Sequence, residues 1–76
     1  MTAREQRAAA AQRAFGLRVR EERERLGLTQ RALAQRAAMN PTYVSQIENG
    51  HRNTTLEVMV EIATALGVPL ARLVGE

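Results

Sequence analysis

The chain has 76 residues, which is enough for one small domain with a modest hydrophobic core. It has no cysteine, which excludes a disulfide framework, a thiolate zinc site and a thiol nucleophile. Its charges are arginines and glutamates with no lysine or aspartate, and the net charge of +3 is too small to indicate a nucleic-acid partner by itself. No apolar run approaches the roughly 20 residues of a membrane span, and the first residues lack the apolar core of a signal peptide.

An all-α domain is predicted, because no segment alternates apolar and polar residues in the way a half-buried strand does. The first helix is predicted from about Ala3 to Leu26, opened by a capping box of Thr2 and Glu5. Its predicted apolar face consists of Ala8, Ala11, Phe15, Val19 and Leu26. The first half of this helix is rich in alanine and is expected to fray.

Two short helices are predicted next, separated by a tight break at residues 38–40. Thr29 is the expected N-cap of the second helix. Asn40 is the expected cap of the third, with Pro41 at the favoured first helical position and Gly50 as a left-handed stop. This arrangement of two short helices around a tight turn is that of a helix-turn-helix.

The third predicted helix carries a polar stripe without any charge. The stripe has helical spacing and consists of Thr42, Ser45, Gln46 and Asn49. Side chains of this kind both donate and accept hydrogen bonds, as the reading of base edges in the DNA major groove requires. We predict that Thr42 and Gln46 read base edges with help from Ser45, since glutamine can pair bidentately with adenine. The alternative is a polar helix that merely lacks charge.

A fourth helix is predicted over residues 55–66, opened by a capping box of Thr54 and Glu57, and a short fifth helix over residues 69–73. One apolar stripe is predicted to face the core and consists of Leu56, Met59, Ala63 and Leu66. A second apolar set is predicted to form a homodimer interface and consists of Val58, Ile62, Ala65, Leu70, Leu73 and Val74. The alternative is one wide face that belongs entirely to the core.

The segment LGLTQRALAQRAAMNPTYVSQIENG resembles the helix-turn-helix core of the lambda-repressor-like (XRE) DNA-binding family, and TLEVMVEIATALGVPLARL resembles its two following helices. This resemblance implies a single all-α, five-helix lambda-repressor-like domain over residues 1–76, with the helix-turn-helix at helices 2 and 3. Its core spans residues 15–74, and residues 1–14 form an Ala/Arg-rich helical extension. Pro41 departs from the pattern where many relatives carry a polar or basic reader, and Ala32 stands where an acidic capping residue is common.

The residues Thr42-Tyr43-Val44-Ser45, Ile47-Glu48, Gly50 and Arg52-Asn53 most resemble the controller proteins of restriction-modification systems. Those proteins are short dimeric regulators without a second domain. The resemblance implies that Arg23 and Glu48 pair across the fold and orient the reading helix. It also implies that Tyr43 approaches the DNA backbone or a deformable base step, the alternative being a partly buried tyrosine packed on the second helix.

The remaining DNA-contact predictions concern polar and basic residues around the reading helix. Gln30 and Asn40, at helix N-termini, are expected to contact phosphates. Arg52 is expected to contact a phosphate or reach a base. Further candidates for the DNA backbone are Arg31, Arg36, Asn49, His51 and Asn53. For each basic residue the alternative is a side chain that is simply solvated.

The predicted function is sequence-specific regulation of transcription, by a homodimer on near-palindromic operators in double-stranded DNA in the bacterial cytoplasm. The controller resemblance implies regulation of restriction-modification genes, including its own gene. The alternatives are a general XRE-type repressor, a phage-type repressor, or an antitoxin or other protein-interaction module on the same fold. No catalytic residue, metal ligand, cofactor, small-molecule ligand or membrane partner is predicted, because the chain has one histidine and no phosphate-binding glycine loop.

Overall fold

The computed structural model describes residues 1–75, and within that range it contains five α-helices and no strand. The helices are α1 (Ala3–Arg25), α2 (Gln30–Arg36), α3 (Pro41–Glu48), α4 (Leu56–Leu66) and α5 (Leu70–Val74). The predicted all-α, five-helix fold class is confirmed. In the described part of the chain, no helix is both long and apolar enough to cross a membrane.

Side-chain caps explain where the first three helices begin. Thr2 Oγ1 accepts the Glu5 backbone N–H at 3.1 Å, and Glu5 Oε1 accepts the Thr2 backbone N–H at 2.8 Å, which is the predicted capping box. Hydrogen bonding of the Glu5 carboxyl to the Thr2 backbone N–H, and to a lesser extent to the Thr2 side chain, lowers its pKa, since both favour the ionised form. The side chains of Thr29 and Asn40 cap α2 and α3, and Pro41 occupies the first position of α3.

The start of α4 differs from the prediction by one residue. The predicted capping box of Thr54 and Glu57 is wrong, because Thr55 is the N-cap and its Oγ1 accepts the Val58 backbone N–H at 3.2 Å. Two adjacent threonines offer the same capping group, so the sequence pattern does not distinguish them. The helix begins directly after the second one, at Leu56.

Left-handed residues bound α3 on both sides. The turn before it contains Ala38 at φ 54°, a conformation that residues with a Cβ rarely adopt. The turn after it contains Gly50 at φ 73°, as predicted. A Cβ at Gly50 would come within 2.7 Å of the Arg13 Cγ, so the end of α3 also lies tightly against α1.

The hydrophobic core draws residues from all five helices. It consists of Phe15, Val19, Leu33, Ala34, Val44, Ile47, Ile62, Ala63, Leu66 and Leu73. On α1, burial begins only at Phe15, so the predicted inward positions Ala8 and Ala11 are exposed. The other helices pack beside the second half of α1 and leave its first turns outside.

The assignment of the two stripes of α4 is corrected by the structure. Leu56, which we predicted to face the core, is 63% exposed. Ile62 and Leu73, which we predicted to lie in a homodimer interface, are fully buried in this chain. The reason is that α5 packs back against α1 and α4, so residues that look spare on an isolated helix are covered within the monomer.

Helices α1 and α3 approach each other backbone to backbone at Gly16. A Cβ at this position would overlap the Ile47 carbonyl oxygen and come within 2.9 Å of the Glu48 carbonyl oxygen. Glycine therefore admits the close approach that sets the last turn of α3 on α1. The sequence analysis assigned no role to Gly16.

Candidate nucleic-acid interface

A buried ion pair anchors the C-terminal end of α3. Arg23 Nε lies 2.6 Å from Glu48 Oε2, and Arg23 Nη2 donates to Glu48 Oε1 at 2.9 Å. The two side chains are 12% and 2% exposed. Such a bidentate pair is both strong and directional. The hydrogen bonds to Glu48 raise the pKa of the Arg23 guanidinium, with burial acting in the opposite direction. The contact that the family resemblance implied is thus present between α1 and α3.

The same carboxylate also binds α2. Gln30, the first residue of α2, donates from Nε2 to Glu48 Oε1 at 3.0 Å. Arg23 additionally donates from Nη1 to the Leu28 carbonyl at 2.8 Å, which fixes the loop before α2. Glu48 therefore joins three helices through one buried group. The sequence analysis placed Gln30 at the start of α2 but missed this bond, because the two residues lie on different helices and helical spacing relates only residues of one helix.

The opposite side of α3 is open. Val44, Ile47 and Glu48 are buried, whereas Thr42 is exposed and Ser45 and Gln46 are partly exposed. The polar stripe predicted from the sequence is therefore on the outer surface of α3. Asn49 is exposed as well, and its Nδ2 donates to the Ser45 carbonyl at 2.9 Å, so it caps its own helix.

Arg52 lies against the outer face of α3 although it belongs to the following loop. Its Nε donates to Gln46 Oε1 at 2.8 Å, and its guanidinium carbon lies 4.8 Å from the centre of the Tyr43 ring. Tyr43 is partly buried and packs against the core, so its ring is a fixed support. Two predicted base readers and a predicted backbone contact thus form one cluster. The loop after Gly50 has no periodicity from which this contact could be predicted.

The other residues predicted to contact DNA lie around the outer face of α3 or elsewhere on the surface. Asn40 and Thr42 line the same shallow open depression as Tyr43, Gln46 and Arg52. The candidates outside this depression are exposed and consist of Arg31, Arg36, Asn49, His51 and Asn53. One of them, Asn53, lies instead at the edge of an apolar groove beside α1. Arg36 Nη1 approaches the Ala65 carbonyl at 3.4 Å.

The predicted homodimer interface is only partly open. Besides the buried Ile62 and Leu73, three members pack partly buried against the core, and these are Val58, Ala65 and Leu70. Val74 is 51% exposed. The exposed apolar residues of α4 are instead Leu56 and Val60, which are four residues apart and share one face of the helix.

Neither a cluster of metal ligands nor a buried polar atom without a partner occurs among the described residues. Within residues 1–75, no three histidine, cysteine, aspartate or glutamate side chains lie close enough together to hold a metal ion. In the same range, every buried side-chain nitrogen or oxygen has a hydrogen-bond partner.

A fixed helix with an open, uncharged polar face, set in a two-helix turn, defines a helix-turn-helix DNA-binding domain. Accordingly, the family model described as Helix-turn-helix (HTH_3) matches residues 19–73. The chain belongs to this helix-turn-helix family and is of the XRE type, so the predicted family is confirmed. The family is one of DNA-binding transcriptional regulators, not of enzymes.

Several relatives are restriction-modification controllers. The structure superposes on the crystal structure of the controller protein C.AhdI from Aeromonas hydrophila with a TM-score of 0.82 and 38% identity, covering 84% of this chain and 97% of that one. The chain is also 35% identical over 63 residues to the control protein C.MunI of Mycoplasma sp, covering 82% of this chain and 85% of that protein. The predicted likeness to controllers is thus confirmed.

Longer proteins carry a similar domain. The chain is 38% identical over 58 residues to the propionyl-CoA carboxylase regulator of Cereibacter sphaeroides, covering 76% of this chain. That match spans only 13% of the length of the regulator. The similarity therefore concerns the DNA-binding domain and not the whole of that protein.

Proposed function

We propose that the chain is a sequence-specific regulator that binds near-palindromic operators in double-stranded DNA as a homodimer. We further propose that it controls the genes of a restriction-modification system, including its own, from the nucleoid in the bacterial cytoplasm. The observation that carries the proposal is the open polar face of α3 with Arg52 beside it, on a helix that is anchored from behind. The likeness to C.AhdI and C.MunI over most of their length supports the controller role.

In this proposal, α3 enters the major groove and presents its outer face to the base edges. The residues that read bases are Thr42, Ser45, Gln46 and Arg52. The network of Glu48 with Arg23 and Gln30 supports the role, because it holds the far side of the same helix. A reading helix must be held at a fixed angle, since base-edge hydrogen bonds need short distances and good alignment.

Phosphate contacts set the position of the domain on the duplex. The residues proposed for them are Gln30, Arg31, Arg36, Asn40, Tyr43, Asn49, His51 and Asn53. Most are exposed, and Gln30 keeps a second amide hydrogen beyond the one it donates to Glu48. Because each phosphate contact releases counterions, we expect affinity to fall steeply as salt rises.

Dimerisation is proposed through the apolar surface of α4 and α5. Its exposed member is Val74, and its partly buried members are Val58, Ala65 and Leu70. Ile62 and Leu73 are left out of the proposal, since they are already covered. A two-fold dimer would present two copies of α3, so half-sites should lie about 10 bp apart, one turn of DNA.

The test is selection of binding sites from random duplex DNA, followed by titration of the enriched site at two salt concentrations. An enriched palindrome with half-sites about one turn apart is the expected result. Weak binding that depends on salt but not on sequence would contradict the proposal and would favour a protein-interaction role. The controller role additionally requires that the site lie upstream of this gene and beside an endonuclease gene.

A second candidate is a general XRE-type regulator of other genes. The observation in its favour is the 38% identity to the propionyl-CoA carboxylase regulator, whose name refers to a metabolic enzyme. Both candidates predict an enriched operator. They differ in where it occurs, because a general regulator would have its operators upstream of genes unrelated to restriction.

A further inference from the structure

Two side chains of α3 hold Arg52. Its Nε donates to Gln46 Oε1 at 2.8 Å, and its guanidinium lies over the Tyr43 ring with 4.8 Å between guanidinium carbon and ring centre. The first contact is a charge-assisted hydrogen bond and the second is a cation–π contact. An exposed arginine in a loop would otherwise sample many rotamers. The two contacts together restrict Arg52 to one side of the reading face.

The hydrogen bond also fixes the orientation of the Gln46 amide. A guanidinium donates hydrogen bonds and accepts none, so the carbonyl oxygen must face Arg52 and the NH₂ group must point away. A bidentate contact with adenine needs both groups, the oxygen to accept from N6 and the NH₂ to donate to N7. Arg52 takes one of the two acceptor positions of this oxygen and places a positive charge beside it, which disfavours the approach of an adenine amino group, itself a donor. Gln46 therefore presents donors to the DNA.

The terminal nitrogens of Arg52 have hydrogen-bond donors that no contact within the protein uses. Within residues 1–75, Nη1 and Nη2 of Arg52 make no hydrogen bond, although Nε does. These two nitrogens form the fork that binds the O6 and N7 acceptors of guanine. A cluster that offers donors only is complementary to guanine and not to adenine, which carries a donor at N6.

We propose that Gln46 reads no adenine and instead positions Arg52, supported on Tyr43, to read a guanine in each half-site. This inference rests on the proposed function, since it requires that α3 bind operator DNA. Gln46 acts here as a positioning residue, and the base contact belongs to Arg52. It replaces the base-reading role that both the sequence and the proposed function above give to Gln46.

The substitution Gln46→Glu separates the two roles. Glutamate keeps an acceptor for Arg52, so the selected site should keep the same guanine, although the added negative charge lowers total affinity. If Gln46 read a base independently, glutamate could no longer donate to N7 and would favour cytosine, whose N4 donates. Site selection with the wild-type protein and with this variant decides the matter, because a change from adenine to cytosine at one position would overturn the inference.

The substitution Gln46→Leu and the substitution Arg52→Ala then test whether the two residues act on one base pair. Each should reduce discrimination between the operator and a site with that guanine replaced, by roughly 5- to 150-fold for a lost bidentate contact. The double variant should lose no more than Arg52→Ala alone, because coupled residues are not additive. Replacement of the guanine by 7-deazaguanine, which lacks N7, should weaken wild-type binding and leave Arg52→Ala unaffected.

The control is Gln6→Leu, the same change at an exposed position in α1. It should alter neither the selected site nor the sensitivity to 7-deazaguanine. Additive losses at two different base pairs would overturn the inference while leaving the proposed function intact. Failure of the wild-type protein to enrich any site would overturn both.

Discussion

The polar side chains on the two sides of α3 differ in their burial and in their hydrogen bonds. On the inner side, the Glu48 side chain is 2% exposed and is bonded to Arg23 and Gln30. On the outer side, Thr42 is exposed and Gln46 is bonded only to a loop residue. The buried interactions thus fix the position of α3, whereas the polar groups on its outer side are open to solvent. Polar side chains whose hydrogen bonds are all made within the protein fix the position of the helix. Polar side chains with unused hydrogen-bonding groups are available to bind another molecule.

The largest expected effect comes from the inner side. Glu48→Ala would leave the Arg23 guanidinium without its partner in a largely buried site, and removing one partner of a buried pair costs about 3–5 kcal/mol of unfolding free energy. Thermal or urea unfolding would measure this loss. The matched control is Glu24→Ala, which breaks the exposed pair with Arg20 and should cost only about 0–1 kcal/mol. Equal losses for the two variants would contradict the contrast between the sides.

The second prediction concerns the contact between α1 and α3. Gly16→Ala would drive a methyl group into the Ile47 carbonyl, and overpacking of this kind costs about 1–3 kcal/mol. The gain in helix propensity, about 1 kcal/mol, offsets only part of this cost. Urea unfolding should therefore show a destabilised variant, while Ala14→Ser, at an exposed position on the same helix, should be nearly neutral. An unchanged midpoint would mean that the two backbones separate without cost.

The third prediction concerns the outer side alone. Thr42→Ala should leave the unfolding free energy within about 0.5 kcal/mol, since the side chain is exposed. The same change should reduce preference for the selected operator by about 1–3 kcal/mol if Thr42 makes a good base contact. Paired measurements of unfolding and operator binding would check this. A lower unfolding free energy with an unchanged preference for the operator would show that Thr42 stabilises the fold and does not contact a base.

The smallest expected effect is the contribution of the Glu5 carboxylate, at the start of α1, to the pH dependence of stability. The Thr2 hydrogen bonds lower the pKa of Glu5, so the ionised cap stabilises the folded state at pH values above the unfolded pKa. That contribution is lost as pH falls through the lowered folded pKa. Replacing Thr2 by alanine keeps the backbone N–H and removes the hydroxyl, so it should raise the Glu5 pKa only part of the way toward its ordinary value, as measured by NMR titration of the carboxyl. Arg23 should show no matching change near neutral pH, because its raised pKa keeps the guanidinium charged.

Local features of the fold were predictable from the sequence, since they depend on few neighbouring residues. Thr2, Thr29 and Asn40 cap the helices expected of them, and Gly50 adopts the left-handed conformation that ends α3. Each needs only a short polar side chain before a helix, or the absence of a Cβ after one. Where two neighbours offered the same group, as at Thr54 and Thr55, the boundary moved by one residue.

Features that depend on packing between helices were less predictable. Periodicity identified two apolar stripes on α4, but the covering of Ile62 depends on where the other helices lie. The pairing of Arg23 with Glu48 followed from the family pattern and not from spacing. The bonds from Gln30 to Glu48 and from Arg52 to Gln46 were missed, because they join side chains that only the folded chain brings together.

The backbone conformation of Ala38, in the turn ahead of α3, has a consequence for directed evolution of this protein. Its φ of 54° would suit glycine better than alanine, since the left-handed conformation costs a residue with a Cβ roughly 1–2 kcal/mol. Every alanine codon becomes a glycine codon by one nucleotide change. A library of point mutants selected for heat resistance should therefore enrich glycine at position 38 early, even though that substitution removes atoms and adds no contact.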